Sequence, residues 1–228
     1  MTCGGSEIYT DVFTAIHEAR HPKTGVQIWS CAELNSEAAL LVLAGSETTT
    51  TAITAALFYL VHNPRTLTEA QDEVRRAFSS FEEIRLGNKL SSCQYLRACV
   101  DEAMRMCPPV PGLLPRQVLP GGINVDGHYI PESTEIGTPT YAIHHEPIYF
   151  PAPFSFQPEQ RLTEPEVSGV TESSKEEVAL ARSAFCAFSK GPRDCVAKQM
   201  AYREMMIVLA SILWGFEMKV APGSSLGE

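Results

Sequence analysis

The segment Phe188-Ser189-Lys190-Gly191-Pro192-Arg193-Asp194-Cys195 is the part of this sequence best equipped for chemistry. It presents one soft sulfur donor behind a glycine and a proline. A periodic apolar stretch follows, predicting a helix from near Cys195 to about Leu213. On a tight loop, backbone amides can face the sulfur, and a helix opening at Cys195 sets its positive dipole end beside a thiolate. Those are the needs of a thiolate on a haem iron, whose charge must survive in a low-dielectric site. In that chemistry Gly191 turns the chain where a side chain would meet the porphyrin. Arg193 supplies a permanent cation for a propionate, and Phe188 shields the sulfur. A lone cysteine is more often a small buried apolar residue; the Phe-Gly-Arg-Cys spacing ahead of a helix favours the metal.

Two further clusters bear on the same chemistry. Ala44-Gly45-Ser46-Glu47-Thr48-Thr49 sits inside a long apolar stretch, where glycine and clustered threonines are poor helix formers. Hydroxyls there can bond back to carbonyls four residues earlier and bend the helix, opening a groove for dioxygen and water. Glu47 followed by Thr48 is then an acid–alcohol pair able to relay protons. A buried helix with polar residues turned to a neighbour is the plainer reading of the same residues. Glu102 and Arg105 are three apart on a predicted helix and can pair on one face. Cys99, one turn earlier, hints at burial and a structural role.

Taken in this order, the three motifs resemble those of the cytochrome P-450 family. The resemblance implies a mainly α fold with small β-sheets. It covers roughly residues 33–220 as a haem-binding region, between a weakly patterned segment 1–32 and a tail 221–228, and corresponds to the C-terminal portion of that fold. It implies that Glu47 and Thr48 are catalytic, that Cys195 is the axial ligand of a haem, and that Arg116, Phe188, Gly191 and Arg193 also hold the haem. Residues 150–159 match the family's meander. The meander continues Gln160-Arg161, so the arginine completing a triad with Glu102 and Arg105 is either Arg161, displaced by one position, or replaced by Gln160. Ala197 stands where the family has a glycine. The implied activity is insertion of one oxygen atom into a small organic substrate, with electrons from NADPH through a reductase that docks near Lys190, Arg193 and Lys198. The segment 108–145 is most like fungal benzoate hydroxylases and secondary-metabolite oxidases. A catalytically inactive remnant or a helical interaction module is the alternative.

Composition agrees with a globular enzyme and excludes other classes. Hydrophobic residues make up 44% of the 228 residues, enough for a sizeable core. A net charge of -9 without a basic run argues against nucleic acid. The seven cysteines form no CxxC pair, which argues for free thiols in a reducing, intracellular compartment. The longest apolar stretch, 38–61, is interrupted by Ser46, Glu47 and threonines, so no membrane segment is expected, although full-length relatives are anchored to the endoplasmic reticulum.

The positioning elements follow from pattern. Ser30 and Glu33 have capping-box spacing, Asn35-Ser36 offers a second start, and a long helix is expected from about Ser36 to His62, apolar all round and central. Helices are expected at about Pro64–Ser79 and from Ser91 or Ser92 to Met106. Ile123–Val125 and His128–Ile130 flank Asp126-Gly127 and predict a hairpin. Residues 147–165 read as a meandering loop and 167–177 as a polar one; Phe216–Val220 alternates like a closing strand. His144-His145 reads as a solvated or hydrogen-bonded pair.

Overall fold

A computed structural model describes residues 12–162, 175–221 and 223. The chain divides into two compact units, Met1–Glu47 and Thr48–Glu228, and the division falls inside one long helix. The described part of the smaller unit holds helix α1 (Val12–Glu18), a bridge between Arg20 and Gln27, and the first half of helix α2 (Cys31–His62). The Ser30–Glu33 capping box sets the start of α2, five residues ahead of the expected Ser36. The Ser30 amide donates to Glu33 Oε2 at 2.8 Å and the Glu33 amide donates to Ser30 Oγ at 3.3 Å, so two first-turn donors are satisfied at once.

Helix α2 runs unbroken through Gly45 and the threonines. Ser46 Oγ does donate back to the Val42 carbonyl, at 2.8 Å. The expected all-round burial is not found. Leu40, Leu41, Val42 and Leu43 are exposed, whereas Ala52, Ala55, Ala56 and Leu60 enter the core of the larger unit. Among the described residues, α2 is the one helix long and apolar enough to cross a membrane by length and composition.

The larger unit is built on helices α3 (Pro64–Ala77), α5 (Gln94–Met106) and α8 (Lys198–Gly215), which pack on one another. Expected as largely solvated, α3 buries one face through Leu67, Ala70, Gln71 and Val74. A short helix α4 (Asn88–Ser91) precedes α5, whose first turn is capped from α3. The Glu73 carboxylate accepts the Tyr95 and Leu96 amides, both at 2.8 Å, placing negative charge at the positive helix end. Nine of the thirteen α5 residues are buried, so α5 rather than α2 is the central helix of this unit. The buried stripe of α8 runs Tyr202, Met205, Met206, Leu209, Ala210, Leu213, one residue round from the expected one.

The sheets are small. Strand β2 (Ile123–Val125) pairs antiparallel with β3 (His128–Ile130), Ile123 opposite Ile130. The turn places Asp126 at φ 48° and Gly127 at φ 82°, the left-handed pair that a two-residue hairpin requires. Strand β1 (Arg116–Gln117) pairs with β4 (Glu135–Ile136), ahead of the short helix α6 (Thr140–His144). Within the meander a 3-10 turn spans Pro158–Arg161. Helix α7 (Lys175–Ala184) was not expected; the expected polar loop overlaps its first turn and otherwise lies outside the described residues. Phe216–Val220 forms no strand among the described residues; the Phe216 carbonyl accepts Gln71 Nε2 at 2.9 Å.

Leu209 is fully buried in the core shared by α3, α5 and α8. Leu209→Ala is expected to cost about 2–5 kcal/mol, seen as a lower denaturant midpoint with an unchanged slope.

Candidate haem-thiolate site

The site is built from the buried network outward. Glu102 and Arg105 lie on one face of α5, fully buried, and Arg105 Nη2 meets Glu102 Oε1 at 2.8 Å. Arg161 closes the network through Nε, 3.1 Å from Glu102 Oε2. The arginine of the triad is therefore Arg161, while Gln160 turns outward and donates to Gln157 Oε1 at 2.7 Å. All five N–H groups of Arg105 are used. Two go to Glu102, and the others go to the carbonyls of His144 (2.9 Å), Pro153 (2.6 Å) and Ser155 (3.1 Å). The meander is thus held to α5 by charge-assisted bonds, which are stronger than neutral ones.

His144 carries this order on towards the cysteine segment. Its Nε2 accepts the Cys186 amide at 2.9 Å, and its ring stacks on Phe185 with centroids 5.2 Å apart. The proton of the neutral ring therefore sits on Nδ1, which has no partner among the described residues; Arg161 Nη2 is likewise buried without one. The Arg161 guanidinium also lies 4.6 Å from the Phe185 ring centroid. Burial pushes His144 down to about 4, and the adjacent Arg161 charge adds to the effect. His145, its neighbour, is half-buried and stacks on Tyr141.

The cysteine loop is closed by its own backbone. The Ser189 amide donates to Cys186 O at 2.8 Å, the Asp194 amide to Gly191 O at 3.1 Å, and the Cys195 amide to Phe188 O at 2.9 Å. Ser189 (φ 61°) and Gly191 (φ 83°) both take left-handed conformations, which glycine adopts freely and serine does not. Lys190 Nζ reaches the Ser183 carbonyl. Cys195 itself is exposed. It does not open α8: the helix begins at Lys198 with Ala197 as its cap, and the Lys198 amide donates to Cys195 O at 3.2 Å. The sulfur-bearing residue therefore sits in the turn leading into the helix.

Phe188 is half-buried against Tyr202 of α8, with centroids 4.8 Å apart. Arg193 is exposed, with no hydrogen-bond or ion-pair partner among the described residues. Arg116 is exposed too, its Nη1 donating to the carbonyls of Leu114 and Pro115. Glu47 and Thr48 are consecutive residues of α2 that fall on either side of the unit boundary. The triad arginine was left between two candidates in the sequence, and Tyr202 and Asp101 carried no signal there, because each is marked only by the other, 101 positions away.

The donor set suits a metal that brings most of its ligands with it. No group of three or more His, Cys, Asp and Glu side chains among the described residues could hold a bare ion. What the loop offers is one accessible thiol, flanked by exposed apolar side chains at Val196 (99%) and Met200 (64%) and by a cation at Arg193. A flat apolar macrocycle with anionic substituents fits that surface.

The cytochrome P-450 family model matches residues 10–227. The chain belongs to the cytochrome P-450 family. Among its relatives are the fungal cytochrome P-450 monooxygenases apf8 of Gibberella fujikuroi (42% identical, covering 91% of this chain and 54% of the relative) and AKT7 of Alternaria alternata (41% identical, covering 95% and 41%). A crystal structure of a cytochrome P-450 (CYP102L1) superposes with a TM-score of 0.73 at 26% identity, covering 94% of this chain and 45% of that one. The chain spans about half the length of the curated relatives it matches. The family implies haem bound through a cysteine thiolate, and the expected mainly α fold with small sheets is the one observed.

The His144 environment predicts an acid-sensitive fold. An unfolded histidine titrates near 6.5, whereas the folded one stays neutral down to about 4. The unfolded state then binds the proton first, so the contribution of His144 is complete above pH ~6.5 and is lost as pH falls towards 4. His144→Gln keeps an acceptor but does not titrate. Across that window the wild-type chain should lose about 3 kcal/mol more stability than the variant, measured by denaturant unfolding at each pH.

Proposed function

We propose that the protein acts as a haem-thiolate monooxygenase, inserting one oxygen atom into a small organic substrate in fungal secondary or aromatic metabolism. The observation that carries this reading is the Phe188–Cys195 loop, closed on its own carbonyls and presenting Cys195 towards an exposed apolar face. In this reading residues 33–220 form the haem-binding region. When bound, the haem supplies dioxygen activation driven by electrons from outside. The chain's own groups do the rest.

Cys195 Sγ is the donor to the iron, and Gly191 gives the loop its left-handed turn without a side chain. Arg193 and Arg116, each exposed, offer guanidinium donors to the propionates. Phe188 forms the wall behind the sulfur, anchored on Tyr202. The Glu47 carboxylate and Thr48 Oγ1 hold and pass protons on α2, where general acid–base groups must lie within hydrogen-bond reach of the reacting atoms. Lys190, Arg193 and Lys198 are all exposed around the loop, a basic surface suited to a complementary acidic face on an NADPH-dependent reductase. An intracellular location is part of this reading, since the described cysteines are free thiols suited to a reducing compartment. The exposed residues Leu40–Leu43 favour one second reading, an inactive remnant that holds haem poorly.

Two measurements separate these readings. Cys195→Ser should abolish the thiolate-type spectrum of the reduced, carbon monoxide-treated haem complex, while Cys186→Ser should leave it nearly unchanged; equal loss in both would exclude Cys195 as ligand. Thr48→Ala should retain haem yet release more hydrogen peroxide per NADPH consumed. Unchanged coupling of electrons to product would remove Thr48 from proton delivery.

A further inference from the structure

Tyr202 is almost wholly buried on α8, where a phenylalanine would fill the same space without a polar atom to satisfy. Its hydroxyl donates to Asp101 Oδ1 of α5 at 2.6 Å, a short charge-assisted bond spanning 101 positions in sequence. The Arg97 guanidinium lies 3.3 Å from the centroid of the Tyr202 ring, and its Nε is 3.4 Å from Asp101 Oδ2. Arg97, Asp101 and Tyr202 thus form a clamp in which one carboxylate fixes both the cation and the phenol. Burial, with the Asp101 charge behind it, pushes the Tyr202 hydroxyl well above its ordinary range and keeps it a donor.

The clamped ring has a second neighbour. Phe188 packs on it at 4.8 Å, and Lys198 Nζ lies 5.8 Å from the Phe188 ring. Phe188 is also the residue whose carbonyl accepts the Cys195 amide, immediately before Ser189 takes its left-handed turn. The place of one aromatic ring therefore sets the carbonyl on which the cysteine loop closes.

We infer that Tyr202, fixed by Asp101 and Arg97, is a positioning residue for Cys195 and acts through Phe188. The inference rests on the reading of the Phe188–Cys195 loop as the haem-binding loop. Its test needs no haem, so a failure here is distinct from a failure of that reading, which the Cys195→Ser spectrum decides.

The 228-residue chain carries its own controls, because Cys31 and Cys107 are exposed thiols that take no part in the clamp. Tyr202→Phe keeps the ring and removes the hydroxyl. It should raise hydrogen exchange of the Cys195 amide about tenfold, the loss of one charge-assisted bond, and speed alkylation of Cys195 relative to Cys31 and Cys107. Asp101→Ala should reproduce both changes, and Asp101→Asn, which keeps an acceptor oxygen, should largely rescue them. Combined with Phe188→Leu, Tyr202→Phe should add little further effect, since coupled residues are non-additive. Equal changes at all three thiols, or full additivity of the two substitutions, would reduce Tyr202 to ordinary packing and overturn the inference. So would an unchanged Cys195 amide in Tyr202→Phe.

Discussion

Everything around the candidate site leans on one buried carboxylate. Burying an ion pair costs several kcal/mol per charge, and the cost is recovered only when every remaining donor and acceptor finds a partner. Glu102 meets that condition with Arg105, Arg161 and the Gln157 amide, and Arg105 meets it with all five of its N–H groups. One carboxylate faces two guanidiniums. The excess positive charge rests against the rings of Phe150 and Phe185, whose faces attract cations. Of the three, only Arg161 keeps a buried donor, Nη2, without a partner among the described residues, and the bonds of Glu102 and Arg105 hold the meander in register on α5. Through the His144 carbonyl and ring, that register reaches the segment ahead of Cys195.

The parts of this arrangement that could be read in the sequence are those governed by local rules. The Asp126-Gly127 hairpin, the end of α5 before Pro108-Pro109 and the Glu102–Arg105 pair depend on residues near one another in the chain. The cysteine loop is legible for the same reason, as glycine, proline and cysteine at fixed spacing state their own geometry. What escaped depends on partners far away. Whether Gln160 or Arg161 turns inward is decided by the rotation of a four-residue 3-10 turn. Tyr202 is buried one position round from the expected stripe because Asp101 and Phe188 draw it in. His144 gave no sign of its burial, since a carbonyl bonded to Arg105 leaves no mark in sequence. The start of α2 was legible in the Ser30–Glu33 spacing, yet the competing Asn35-Ser36 signal obscured it.

The position of Cys195 before α8, rather than in its first turn, alters how the loop must be understood. The helix contributes an amide to the Cys195 carbonyl and not to the sulfur. Shape then comes from the two left-handed residues and the amide of Cys195 bonded to Phe188, so the loop is held by its backbone while the thiol stays open. Aromatic packing behind it, rather than charge in front of it, supplies the rigidity.

Glu102 and Arg105 share a helical turn and meet as soon as α5 forms, but Arg161 arrives from 59 residues further along. Contacts of such separation close late in folding, because the entropy of the intervening loop must be overcome first. Before closure, Glu102 and Arg105 lack the meander carbonyls and the second guanidinium, and their burial is penalised rather than rewarded. By that measure the local Glu102–Arg105 pair of α5 comes first, and its long-range partners, the His144 carbonyl at 39 residues and Arg161 at 59, follow. The Cys195 loop closes on carbonyls three to seven residues away, so its own bonds are local and only its anchorage on the core waits for that closure.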